Sequence, residues 1–78
     1  MDEWYKDFGH RPTVRYYKLL HVDGDSSVEV EQFTFDTIRR RITATEKRAV
    51  PFKSWVDALA NNSVHSVAES QVPFLFHF

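Results

Sequence analysis

The chain has no cysteine and only two glycines, three prolines and one methionine among 78 residues. Without cysteine there are no disulfides and no thiolate chemistry, so the core must hold without covalent staples. With only Gly9 and Gly24, far apart in the sequence, no glycine cluster can cradle a phosphate. No apolar run approaches the roughly 20 residues that span a bilayer, and membrane partners are not expected. The start, Met1-Asp2-Glu3-Trp4, is acidic and lacks the basic start and apolar middle of a signal peptide, so a cytoplasmic location is expected.

Recognisable catalytic and metal motifs are also missing. His10, His21, His65 and His77 lie apart, without the spacing of common zinc sites. None of the serines sits in a nucleophile elbow, and no pair of carboxylates stands out as an acid/base dyad. A chain this short buries only roughly 60% of its unfolded surface and is poorly equipped to enclose a dry pocket. The expectation is a protein that is not an enzyme and needs no cofactor or metal.

What is present is an aromatic-rich chain with segregated charge. Aromatics make up 15% and charged residues 27% of it, a globular composition that its length restricts to a single domain over residues 1–78. The net charge of −1 conceals a block. Residues 37–53 hold six bases (Arg39, Arg40, Arg41, Lys47, Arg48 and Lys53) and one acid, Glu46, whereas residues 1–36 hold twice as many acids as bases. Such a block suits an acidic partner, because guanidinium groups bind carboxylates and phosphates bidentately. The alternative is a solvated surface balanced by Glu29, Glu31 or Asp36.

The order of elements points to an α+β fold. Asp2 to Phe8 reads as a short N-terminal helix that Gly9 and Pro12 end, with Trp4 and Phe8 on one face. Thr13–Val22 and Ser27–Phe35 read as strands joined by a hairpin at Asp23-Gly24. In the second strand Val28 and Val30 share one face but Phe33 and Phe35 the other, which predicts a bulge near Glu31-Gln32 or a move between layers. Segment 37–48 reads as helix or strand. Asp36 or Thr37 as a cap supports the helix, which is preferred; the β-branched Ile42, Thr43 and Thr45 support the strand. On a helix the basic residues form one stripe, and on a strand Arg40 parts from Arg39 and Arg41.

Pro51–Asn62 is the main helix, with Phe52, Trp55, Val56 and Leu59 as its apolar stripe and Asn61-Asn62 as its stop. Ser63–Val67 and Val72–Phe78 read as extended, the latter a C-terminal strand of a small antiparallel sheet. Ala49-Val50-Pro51-Phe52, followed by Trp55 and a further extended piece, resembles the strand–helix–strand segment of small phycobilisome linker domains. Asn61-Asn62 stands where that family has paired glycines, and the resemblance implies no function here.

These readings lead to a non-enzymatic small regulator or inhibitor, of the kind phages and mobile elements encode. It would occupy a surface of a larger protein complex. Its partner-binding candidates are Arg39, Arg40, Arg41, Lys47 and Arg48, with Tyr17 and Trp55 as apolar contacts. Two alternatives use the same chain differently: a nucleic-acid-binding module acting through the same patch, and a structural subunit assembled through an apolar edge strand.

Overall fold

The structure, a computed structural model, describes residues 3–7 and 12–76. Its elements are β1 (Trp4–Asp7), β2 (Thr13–Asp23), β3 (Ser27–Asp36), β4 (Arg41–Pro51), α1 (Phe52–Ala60) and β5 (Val64–Val67). Two short 3₁₀ turns, Glu69–Gln71 and Pro73–Phe76, follow. The strands form one antiparallel sheet in the order β4-β3-β2-β1-β5. The α+β class holds: a five-stranded sheet with one helix packed on it.

Both faces of the sheet are covered, at different ends. On one face α1 lays Trp55 over Tyr17, Val28, Val30 and Val64, with Tyr5, Leu19, Phe52 and Leu59 around them. On the other, the C-terminal turns bring Val72, Phe74 and Leu75 over Trp4, Tyr16, Phe33 and Phe35. Phe74 lies 5.2–5.9 Å from the rings of Trp4, Tyr16, Phe33 and Phe35. This arrangement explains the change of phase in β3. Side chains alternate between faces, so Val28 and Val30 enter the helix-side core while Phe33 and Phe35 enter the opposite one. No bulge is needed at Glu31-Gln32, where the register with both neighbours is continuous; the irregularities fall instead at Leu20 in β2 and at Thr43 in β4.

The same two-sided burial takes in both Tyr16 and Tyr17, neighbours in β2 that point to opposite faces. Both are buried, and Tyr17 Oη donates to Asp7 Oδ2 at 3.3 Å.

Three further expectations are overturned. There is no N-terminal helix over the described part of residues 2–8, because Trp4–Asp7 is a strand; Asp2 and Phe8 lie outside the described residues. So short a helix would gain few hydrogen bonds for the cost of nucleation. As a strand between β2 and β5, the segment pairs on both sides and buries Trp4 on one face of the sheet. The C-terminal strand is also absent: Pro73–Phe76 is a 3₁₀ turn. Pro73 has no N–H to give a ladder, and the turn instead packs Phe74 and Leu75 against the cluster of Trp4, Tyr16, Phe33 and Phe35. His77 and Phe78 lie outside the described residues. Segment 37–48, finally, is a turn followed by a strand. A helix there would bury only a thin stripe of Ile38, Ile42 and Ala49, whereas the strand pairs along the whole of β3.

The hairpin at Asp23-Gly24 forms as expected, with Gly24 at φ 55° and Ser26 N–H donating to the Asp23 carbonyl at 3.0 Å. The main helix forms too, although Pro51 closes β4 rather than opening α1. Its stop is a Schellman arrangement. Ser63 N–H donates to the Ala58 carbonyl at 2.9 Å and Asn62 N–H to that of Leu59 at 3.2 Å, with Asn62 at φ 59°. Val56 faces solvent, so the packed stripe is Phe52, Trp55, Ala58 and Leu59.

Candidate functional site

Five of the six bases of the block, Arg39, Arg40, Arg41, Lys47 and Arg48, fall on the β3–β4 hairpin at the edge of the sheet, and Lys53 lies in α1. β3 ends at Asp36, whose carboxylate organises the turn: Oδ1 accepts from Ile38 N–H at 2.9 Å and Arg39 N–H at 3.0 Å, and Oδ2 lies 4.0 Å from Arg39 Nε. The Arg39 N–H, chiefly, holds this carboxyl below its usual value, with Ile38 N–H and the Arg39 and Arg41 charges adding to the effect. Thr37 ties the turn to the body of the protein, its N–H and hydroxyl donating to the Pro12 carbonyl at 2.9 and 2.7 Å. Arg40 adopts φ 56°, a left-handed conformation that costs an L-residue roughly 1–2 kcal/mol. Beyond these anchors Ile38, 77% exposed, projects with Arg39, Arg40 and Arg41.

Among the described residues β4 has a neighbouring strand on one side only, and ten of its eleven residues are exposed, Val50 being the exception. The strand separates its charges by face. Lys47 stands opposite Glu31 on the face away from α1. Arg48 stands opposite Val30 on the helix side, and its Nη1 donates to Gln32 Oε1 at 2.9 Å. At about 3.3 Å per residue, Lys47 is roughly 20 Å along the strand from Arg41. The five arginines and lysines of the expected site thus do not form one stripe. Three cluster at the hairpin tip and two flank the middle of the strand on opposite faces.

Tyr17 and Trp55 are not part of this surface. Each is about 7% exposed, and their rings meet edge to face at 5.9 Å in the helix-side core. The apolar groups at the hairpin are instead Ile38 and Ile42, the latter 37% exposed opposite Phe35. Sequence reasoning passed over them because it assigned both to the buried stripe of a helix. The local signal for a strand, the β-branched Ile42, Thr43 and Thr45, is present but too short to outweigh a helix cap at Asp36 or Thr37.

A depression of about 230 Å³ lies between β2, β3 and β4, lined by Leu20, Glu29, Val30, Lys47, Arg48 and Ala49. Among the described residues no group of His, Asp or Glu side chains is arranged to hold a metal ion, and no helix is long and apolar enough to cross a membrane. β4 thus presents a sheet edge with small side chains at Ala44, Thr45 and Ala49 and cations at its tip and flanks.

Comparison of the chain with protein-family models, with curated proteins and with solved structures finds no match in any of the three.

Proposed function

We propose that this protein is a small non-enzymatic binding protein, a regulator or inhibitor that occupies an acidic surface of a larger protein through its β3–β4 hairpin. The observation that carries this reading is the coincidence of charge and exposure. The basic segment of the chain is also its longest exposed element, whereas both aromatic clusters are committed to the cores. Isolated surface ion pairs contribute about 0–1 kcal/mol, so stability does not account for a triple arginine at a hairpin tip. Arg39, Arg40 and Arg41 carry the contact, Ile38 and Ile42 supply apolar area, and Lys47 and Arg48 extend it along β4.

The test is the triple variant Arg39→Glu, Arg40→Glu and Arg41→Glu, used beside the wild-type chain for affinity capture from the native cell. All three side chains are exposed, so the melting temperature should hold within a few degrees while the co-purifying protein is lost. Recovery of the same protein by the variant contradicts this assignment. So does tight binding of DNA or RNA by the purified wild type with a steep salt dependence, roughly 0.7–0.9 of log–log slope per phosphate neutralised.

A further inference from the structure

The hydrogen-bond phase of β4 identifies which main-chain groups point outward. Phe52 N–H donates to the Ser26 carbonyl at 3.1 Å, and Pro51 is the register partner of Ser27. In an antiparallel ladder this makes Ser27 and Pro51 a non-hydrogen-bonded pair. Alternation then assigns Val28/Val50, Val30/Arg48, Gln32/Glu46 and Thr34/Ala44 as the pairs that exchange bonds. The N–H and C=O groups of Thr45, Lys47 and Ala49 are therefore directed away from β3, on the side where no strand follows. Pro51 belongs to the same outward set and has no N–H to leave unpaired, which is where proline is tolerated in a sheet.

Exposed edges invite pairing, and charged side chains select what pairs. A second copy of this chain is a poor occupant. An antiparallel twofold pairing centred on Glu46 or on Lys47 sets two like charges opposite each other at its centre; the latter also sets Arg48 opposite Glu46, but any register brings two net-basic segments together. A strand bearing carboxylates meets Lys47 on one face and Arg48 on the other, with the arginines of the tip beyond its end.

We propose that β4 accepts an acidic, extended segment of another protein as a sixth strand of the sheet. The segment is held by the outward main-chain groups of Thr45, Lys47 and Ala49. This rests on the reading of the hairpin as a protein-binding surface and specifies how it binds. The alternation dictates a charge pattern in the partner: consecutive acids opposite Arg48 and Lys47, an uncharged residue opposite Glu46, and further acids toward Arg41. Ala44, Thr45 and Ala49 leave room for β-branched side chains beside them.

The probe is a blocked octapeptide, Glu-Glu-Thr-Val-Thr-Val-Glu-Glu, titrated into the intact protein at low ionic strength. It is compared with a form N-methylated at every amide between its residues, which keeps every charge but has no N–H to give from either edge, and with a lysine-for-glutamate form. The parent peptide should bind. N-methylation should weaken binding by about tenfold or more, since several main-chain hydrogen bonds are lost. The lysine form should not bind. Thr45→Pro, which removes an outward N–H and no ladder bond, should weaken the parent peptide by a similar factor; the N-methylated peptide gives the same answer on the wild-type chain if that variant folds poorly. Equal binding of the parent and N-methylated peptides overturns strand addition while leaving the basic surface in place. Equal binding of the lysine form overturns the charge selection, and no binding of the parent peptide overturns the proposal, while capture by the triple-arginine variant separately judges the surface.

Discussion

Tyr17 and Trp55 show how a residue's type can suggest one role and its surroundings impose another. Tyrosine and tryptophan are frequent interface anchors, and both lie close in sequence to charged residues. Yet Trp55 is the buried residue of α1, and Tyr17 is the ring on which it rests. Burial also sets their chemistry. The phenols of Tyr5, Tyr16 and Tyr17, which are all the tyrosines of the chain, are pushed above the usual value of 10.0, in each case chiefly by desolvation. Asp7 raises Tyr17 further, against the opposing influence of Arg15, and Glu3 raises Tyr5. A raised value means the folded state holds its protons longer than the unfolded chain. The stabilising contribution is therefore complete below the unfolded value near pH 10 and is lost as pH rises through the folded values. Alkaline titration should show tyrosinate absorbance appearing together with the loss of circular dichroism. Ionisation of all three rings at an ordinary value in a still folded protein would contradict this packing.

Among the elements, the readable ones were those whose information is local. Gly24 at a positive φ, the helix expected over 51–62 and found at Phe52–Ala60, and the β-branched runs of β2 and β3 each announce themselves locally. β1 and β4 do not, because each is a strand by virtue of its neighbours. Trp4 and Lys6 fall on one face and Tyr5 and Asp7 on the other only once β2 and β5 flank them. The apparent phase slip in β3 likewise reflects two cores on opposite faces, which no one-dimensional pattern distinguishes from a bulge. The hairpin tip was half legible: Asp36 was read as a helix cap, and it does accept two N–H groups, but within a turn. Because those bonds hold its carboxyl below the usual 3.8, its contribution is present above that pH and lost as pH falls through the folded value. Asp36→Asn keeps the acceptor oxygen without the charge. It should preserve the turn at neutral pH and flatten the acid limb of the stability profile. An acid limb unchanged from wild type would remove Asp36 from the account.

Across the whole molecule, the extents of 37 × 24 × 20 Å follow from three strands of ten or eleven residues laid side by side. The two aromatic cores sit toward opposite ends of that long sheet and on opposite faces, and each depends on a cover that is short: α1 for one, the C-terminal turns for the other. Phe74 touches four rings, so Phe74→Ala should cost about 3 kcal/mol, at the lower end for a large aromatic because Phe74 is only half buried. A loss below about 1 kcal/mol in chemical denaturation would mean that the C-terminal turns do not close that core.

With both cores closed, the basic outer edge of β4 is left exposed, and the proposed binding surface lies there, a location that charge arithmetic suggested but whose shape it could not supply. Residue-resolved amide exchange, with and without the acidic octapeptide, tests this most directly. In the free protein Ala44, Glu46 and Arg48 should exchange slowly and Thr45, Lys47 and Ala49 fast; on addition of the peptide the second set should slow. Protection confined to α1 or the C-terminal turns, or no change along β4, would contradict the account.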